Sequence, residues 1–167
     1  SDHMPVIMDL QLPAKIGVVA ALNFGTYITG ATATQSLSIS NSATTPADEL
    51  NYSFTAPAGF TAPAGSFLQN AGFPGTGHNI GMLTATTGNK NGNLTVTSDD
   101  PDNPTKTVAL SGVVVAHAVP ATLAAGTSTL DSLDFGSHDV GGFGDLPAGV
   151  KNAGYGALQA QLNVYAA

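Results

Sequence analysis

An internal repeat constrains the fold of this chain more than any other feature. Short elements of a first copy return in a second at nearly constant spacing. They are Leu22-Asn23-Phe24-Gly25 with Leu133-Asp134-Phe135-Gly136, Gly30 with Gly141 and Asn41 with Asn152, all 111 residues apart, and Leu50-Asn51 with Leu162-Asn163, 112 residues apart. A period of about a hundred residues is typical of tandem β-sandwich domains, whereas solenoid repeats span about 20 to 50 residues.

Alternating apolar and polar residues predict short strands between turn residues. Leu37–Ser40 and Leu50–Phe54 alternate and stop at Asn, Ser, Pro or Gly, which predicts half-buried strands. Ile16–Leu22 predicts a buried first strand that stops at Leu-x-Phe-Gly, and Val108–Val115 predicts a long final strand with Gly112 as a candidate bulge. About seven strands follow, without a convincing amphipathic helix, so the sequence predicts an all-β, immunoglobulin-like seven-stranded sandwich.

One pair of segments predicts a hairpin. Ile80–Met82 and Leu94–Thr97 keep the period of two, and Gly88–Gly92 between them is rich in residues that tolerate positive φ. We therefore expect Gly88–Gly92 to form the connecting loop.

The domain boundaries are predicted from these patterns. Residues 1–8 are a tag remnant and leader, 9–119 form the sandwich, 120–129 are a linker rich in Ala, Gly, Ser and Thr, and 130–167 hold the first strands of a second, truncated repeat.

Several segments together resemble a known domain type. They are Leu-x-Phe-Gly, Gly30, the strand ending at Asn41, Asn51–Thr55, Gly92–Pro104 and Val108–Gly112. These residues resemble the immunoglobulin-like domains of the abnormal-spindle and hydin type, as found in bacterial choice-of-anchor D surface proteins. The resemblance implies spacer, adhesion or accessory roles, and it carries no catalytic signature.

Charge and cysteine content exclude several functions. Charged residues make up 9% of the chain, there is no arginine, and the net charge is −7, so phosphates would meet no basic patch and nucleic acid is not an expected partner. Cysteine is absent, which excludes disulfides and thiolate metal sites. No apolar run is long enough for a membrane span.

Candidate metal and catalytic residues are better explained as structural. Asp99-Asp100-Pro101-Asp102-Asn103 offers oxygens for Ca²⁺ but lacks EF-hand spacing, so a turn is favoured. His78, His117 and His138 have no zinc-ligand spacing, Asp48 and Glu49 diverge as neighbours on a strand, and no Gly-x-Ser-x-Gly occurs. We expect no enzyme activity, no metal site and no cofactor.

Phenylalanines offer the remaining functional indication. Phe60, Phe67 and Phe73 lie in a segment rich in Pro, Gly and Ala, where exposed rings would stack on sugars and buried rings would fill the core.

The first functional hypothesis is therefore a non-catalytic structural or adhesion module of a bacterial exported multidomain protein, located outside the cell or at its surface and contacting other proteins or glycans. The alternative is a glycan-binding accessory domain of an extracellular enzyme that uses Phe60, Phe67 and Phe73. Strands predicted at Ala148–Lys151 and Leu158–Tyr165 would leave sheet edges unpaired. We therefore expect this segment either to pack back on the first sandwich or to pair with a second molecule in a strand-mediated dimer of this chain.

Overall fold

The computed structural model describes residues 11–122, 136–142, 144 and 149–165. Its described residues are all β and irregular structure, and they include no helix long and apolar enough to cross a membrane. The predicted all-β sandwich is confirmed. Its strands are β1 (Ile16–Gly17), β2 (Ala21–Ile28), β3 (Ala33–Asn41), β4 (Leu50–Thr55), β5 (Phe60–Thr61), β6 (Ser66–Gln69), β7 (Thr76–Met82), β8 (Gly88–Ser98) and β9 (Thr105–Val115).

Two sheets pack face to face in residues 11–115. One has four strands in the order β1-β3-β7-β5, and the other has five in the order β2-β9-β8-β4-β6. The pair β2 and β9 is parallel, while the other pairs of these two sheets are antiparallel. The last strand, β9, therefore lies inside the larger sheet between β2 and β8.

Alternation along the strands builds the core. Leu37 and Ile39 of the four-stranded sheet are fully buried, as are Leu94 and Val96 of the five-stranded sheet. Burying a side chain of this size contributes about 1.5 to 3 kcal/mol, so the alternating pattern fixes which face of each strand turns inward.

The predicted first strand is in fact two strands in different sheets. β1 pairs with β3, and after Val18–Ala20 the chain crosses to the other sheet and pairs with β9 as β2. Leu-x-Phe-Gly does not end the strand either, because β2 continues to Ile28 past a register shift between Asn23 and Thr26. The bulge predicted at Gly112 of β9 therefore lies on the neighbouring strand, β2.

The predicted hairpin is wrong. β7 pairs with β3 and β5, whereas β8 pairs with β4 and β9, so the two segments belong to different sheets. Gly88–Gly92, expected as a loop, is the first part of β8. Hydrogen bonding to β9 overrides the weak strand preference of Asn and Gly, as sheet context commonly does.

Gly25 and Gly136, which are equivalent in the repeat, share a left-handed backbone conformation. Their φ angles are 76° and 67°. A Cβ at Gly25 would meet no atom within 4 Å, so a substitution would strain the backbone without a clash. We expect Gly25→Val to lower the free energy of unfolding by about 1 to 3 kcal/mol in urea denaturation. Thr26→Val in the same bulge is the control, and equal midpoints for both variants would contradict the prediction.

The second copy begins where a linker was predicted. Residues Pro120–Thr122 form β10 and pair antiparallel with β11 (Val150–Asn152). The strand predicted at 158–165 is reduced to one isolated bridge, between Ala116 and Gln159. The corresponding strand of the first copy, β4, pairs with β6 and β8. The described residues of the second copy include no strands equivalent to β6 and β8.

Candidate functional site

The three candidate phenylalanines do not form one surface. Phe60 is buried in the core, with its ring centroid 5.6 Å from that of Phe24. Phe67 is half-buried on the inner side of β6. Phe73 alone is exposed, at 67% of its surface.

Phe67 belongs to an aromatic cluster around a buried histidine. The ring of His78 lies 4.5 Å from that of Phe67 and 4.9 Å from that of Phe54, and its Nε2 lies 2.7 Å from the hydroxyl oxygen of Tyr52. Burial lowers the pKa of His78 and raises that of Tyr52, which keeps both groups neutral near neutral pH. The histidine is therefore a satisfied core residue. In the part of the chain that the structure describes, no three His, Asp or Glu side chains group as metal ligands.

A buried glutamine holds the loop that carries Phe73. Gln69 Nε2 donates to the carbonyl oxygens of Asn70 and Pro74 at 3.2 and 3.0 Å, and its Oε1 accepts from the backbone nitrogen and hydroxyl of Thr76 at 3.1 and 2.6 Å. Both ends of the β6–β7 loop are fixed by one side chain. The exposed ring of Phe73 is thus presented on a preorganised loop.

Asp100 shows why the acidic segment is a turn. This carboxylate is 1% exposed and accepts backbone N–H groups from Ile16 at 2.9 Å, Asp102 at 2.9 Å and Asn103 at 3.1 Å. Burial by itself raises the pKa of Asp100, but these hydrogen bonds outweigh it and hold the pKa below its usual range. The carboxylate joins β1 of one sheet to the β8–β9 turn of the other.

Asn41 closes the same end of the sandwich. Its Oδ1 accepts from the backbone nitrogen of Lys15 at 3.1 Å and of Ala43 at 3.2 Å. Its Nδ2 donates to the carbonyl oxygens of Asp48 at 2.8 Å and Gln69 at 3.2 Å. One buried amide therefore ties the segment before β1 to the loop after β3.

Asn152 repeats this arrangement in the second copy. Its Oδ1 accepts from the backbone nitrogen of Val119 at 2.8 Å, and its Nδ2 donates to the carbonyl oxygen of Ala160 at 2.8 Å. Val119 and Ala160 stand where Lys15 and Asp48 stand in the first copy. β10 and β11 likewise repeat the pairing of β1 with the end of β3, because Pro120 faces Asn152 as Ile16 faces Asn41.

Backbone contacts extend the correspondence. Each pair of matching hydrogen bonds joins equivalent residues of the two copies. They are Ser42 N to Lys15 O at 2.8 Å with Ala153 N to Val119 O at 2.7 Å, Leu12 N to Pro46 O at 3.3 Å with Ala116 N to Leu158 O at 2.7 Å, and Asp48 N to Leu12 O with Ala160 N to Ala116 O, both at 2.8 Å. The second copy therefore begins at Ala116, the counterpart of Leu12.

This places the module boundary directly after the last strand of the first module. β9 ends at Val115, and the next residue already hydrogen-bonds within the second copy. We call residues 115–122 with 150–160 the junction. The sequence indicated only one element of the junction, the pair Asn41 and Asn152 at a spacing of 111 residues. The equivalent partners of these asparagines, near residues 15 and 119, were not recognised because they share no residue type.

Comparisons with known proteins bear on the fold. No family model matches the sequence, and no curated protein matches it. Among solved structures, the chain is similar to the ASH / PapD-like domain of human CEP192 (PapD-like domain 7), with a TM-score of 0.52 and 17% identity over 69% of this chain and 95% of that one. It is also similar to a protein of unknown function from Porphyromonas gingivalis W83, with a TM-score of 0.48 and 14% identity over 64% of this chain and 55% of that one.

The first of these similarities agrees with the β-sandwich described above. A PapD-like domain is an immunoglobulin-like sandwich, and at 17% identity the likeness concerns the fold alone. The chain thus has an immunoglobulin-like β-sandwich fold.

Proposed function

We propose that this chain is a non-catalytic structural segment of a multidomain protein, in which immunoglobulin-like modules follow one another as a stiff array. The junction carries the proposal. Domains joined by flexible linkers move independently by default, but here the backbone passes from β9 into the hydrogen bonds of the next module within one residue. Such a connection suits a spacer that holds neighbouring domains at a set distance.

Distance measurements by pulsed electron paramagnetic resonance test this proposal, since the chain has no cysteine to interfere with labelling. Spin labels would be attached at Ser38→Cys in the first module and Gln161→Cys in the second, both at exposed positions. A stiff junction predicts one narrow distance distribution. A matched control with eight Gly and Ser residues inserted between Val115 and Ala116 should give a broad distribution. Equally broad distributions for the two chains would contradict the spacer role.

We extend the proposal to the setting of the parent protein. The absence of cysteine and the Thr-, Asn- and Gly-rich, acidic composition support a bacterial exported protein located outside the cell or at its surface. The motifs from Leu-x-Phe-Gly to Val108–Gly112 support the abnormal-spindle and hydin type as the finer class. In this setting the module contacts other proteins or surface glycans and performs no chemistry.

Glycan binding is the second candidate function, and Phe73 is the observation that favours it. Its ring is exposed on a loop fixed by Gln69, whereas Phe60 lies in the core and Phe67 packs on His78. A glycan array would test this role. Binding that is lost in Phe73→Ala and kept in Leu83→Ala, a substitution of another exposed apolar residue, would support it, and an array without any signal would contradict it.

Exposed apolar residues of the second copy support the expected dimer. Val150 is 49% exposed and Val164 is 63% exposed, whereas their counterparts Ile39 and Tyr52 are buried in the first module. We propose that a second molecule pairs with the strand edges of the second copy and packs on these apolar side chains. Light scattering should give a dimer for this chain and a monomer for one ending at Ala118. Two monomers, with rapid proteolysis of everything after Pro120, would contradict dimerisation.

A further inference from the structure

The outer face of the five-stranded sheet is uncharged and rich in amides and hydroxyls. This outer face consists of the residues of β2, β9, β8, β4 and β6 that alternate with the core residues. On β8, for example, Asn89, Asn91 and Asn93 are exposed while Leu94 and Val96 are buried. In these five strands no charged side chain occupies an outward position, although the chain carries a net charge of −7. Lys90 and Lys106 follow the inward alternation.

A groove crosses one half of the outer face. It has a volume of about 430 Å³ and lies where the register shift in β2 opens the surface beside β9. Asn23, Ser111 and Asn91 form one row across three strands on its floor. Asn23 Oδ1 accepts from the backbone nitrogen of Gly25 at 2.8 Å, which fixes the amide plane and leaves Nδ2 to face solvent.

The other amides of this groove are free to bind. Asn89 and Asn91 are exposed, and neither side chain has a hydrogen-bond partner within the described residues. Each amide supplies two donors and a carbonyl acceptor, so the row can match a ligand group that donates and accepts at once. Hydroxyl groups do this, as do amides.

A second groove lies on the other half of the same face. It has a volume of about 260 Å³ and is lined by Ser53, Ser66 and Thr97, and the exposed carboxylate of Asp99, just after β8, lies at its border. These residues also form a cross-strand row, since Ser53 faces Ser66 on one side and Thr97 on the other. Successive rows are about 6.8 Å apart along the strands, and neighbours within a row are about 4.8 Å apart. The outer face thus offers an extended, regular set of neutral polar groups.

We propose that the outer face binds a neutral polysaccharide, with Asn23, Asn89, Asn91 and Ser111 contacting its hydroxyl groups. The absence of basic residues from the face disfavours nucleic acid and anionic lipid, which need Lys or Arg. Protein interfaces depend on aromatic and Arg anchors, and the face has neither. A neutral chain of hydroxyl groups matches both its charge and its hydrogen-bonding chemistry.

This inference is independent of the spacer role, and it involves a different surface from Phe73. Its closest internal control is the outer face of the four-stranded sheet. That face presents Ser, Thr and Gly with a single amide, Asn79 of β7, which is exposed and has no side-chain hydrogen bond within the described part of the chain. Asn79→Ala therefore removes the same chemical group from a strand of the same module without touching either groove.

Affinity electrophoresis in native gels containing dextran, mannan, xylan or laminarin tests the proposal, with heparin as a charged comparison. We expect at least one neutral polysaccharide to retard the full chain. Asn91→Ala and Asn23→Ala should each weaken that interaction about three- to tenfold, as the loss of one or two hydrogen bonds implies, while Asn79→Ala leaves it unchanged.

The proposal would be overturned by no retardation in any neutral polysaccharide, by retardation in heparin alone, or by an equal loss of binding in Asn79→Ala and Asn91→Ala. Binding that is lost in Phe73→Ala but kept in Asn91→Ala would also overturn it and would assign the ligand to the Phe73 loop. Thermal melts of each variant establish that loss of binding is not loss of folding, because all three asparagines are exposed.

Discussion

Replacing Asp100 by alanine is expected to lower the free energy of unfolding by about 3 kcal/mol or more. The substitution leaves the backbone N–H groups of Ile16 and Asp102 without their acceptor at a buried position, whereas Asn103 N keeps its bond to the backbone carbonyl of residue 100 at 3.2 Å. Each unsatisfied buried group costs about 1 to 3 kcal/mol, and hydrogen bonds to a charged acceptor are the stronger kind. Because Asp100 joins the two sheets, the whole first module should lose stability.

Urea denaturation of the wild type, Asp100→Ala and Asp102→Ala measures this effect. Asp102 lies two residues away in the same turn, with an exposed side chain, so its substitution should change stability by no more than about 0.5 kcal/mol. Equal midpoints for the two variants would contradict the structural role of Asp100.

The pH dependence of the unfolding free energy tests the role of Asp100 independently. Its pKa is lower in the folded chain than in the unfolded chain, so its stabilising contribution is fully present above about pH 4, the unfolded value. The contribution is lost as the pH falls from there through the folded pKa. Wild type and Asp100→Ala should therefore converge in stability below pH 4, and a constant difference down to pH 2 would contradict this account.

Asn41→Ala has the second largest expected effect, a loss of about 3 kcal/mol in unfolding free energy. Its side chain makes four hydrogen bonds in a buried position, to Lys15, Ala43, Asp48 and Gln69. Alanine removes all four and leaves backbone donors and acceptors unpaired. The segment before β1 would lose its attachment to the loop after β3.

Thermal and urea unfolding of Asn41→Ala beside Asn79→Ala measure this contribution. Asn79 is an exposed asparagine of β7 in the same sheet, and its truncation should be nearly neutral. A loss below about 1 kcal/mol in Asn41→Ala would mean that water replaces the buried amide, and the network would then carry little of the stability assigned to it.

The sequence predicted the fold class because two-residue periodicity has a direct physical cause. Leu37 and Ile39 face the core and their neighbours face solvent, so the strands β3, β4 and β9 could be recognised from pattern alone. Pairing could not be recognised in this way. The position of Gly88–Ser98 depends on pairing with β4, which is distant in sequence, as well as with the next strand, β9. The local Gly and Asn residues indicated a loop instead.

The repeat predicted equivalent glycines but not the domain boundary. Gly25 and Gly136 share a backbone conformation that depends on glycine, so the residue itself recurs. The strands β1 and β10 are held through backbone groups and need no particular side chain, which is why Ile16 and Pro120 occupy equivalent positions without resembling each other. The composition of residues 120–129 therefore indicated a linker, although the first residues of this segment form strand β10.

The outer face could not be predicted for a related reason. Asn89 and Asn91 were assigned to a loop, and Asn23 was noted only as part of the repeated segment. Only the pairing of β2, β9 and β8 brings the three amides into adjacent rows.

Amide hydrogen exchange across the junction tests the central claim most directly, namely that one module passes into the next without a linker. The backbone nitrogens of Ala116, Val119, Ala153 and Ala160 all donate hydrogen bonds there, to Leu158 O, Asn152 Oδ1, Val119 O and Ala116 O. We expect all four amides to be protected from exchange, and we expect Asn152→Ala to remove the protection at Val119 while that of β9 remains. If the amides from Ala116 onward exchange at unprotected rates while those of β9 stay protected, the claim is contradicted and a flexible linker follows β9.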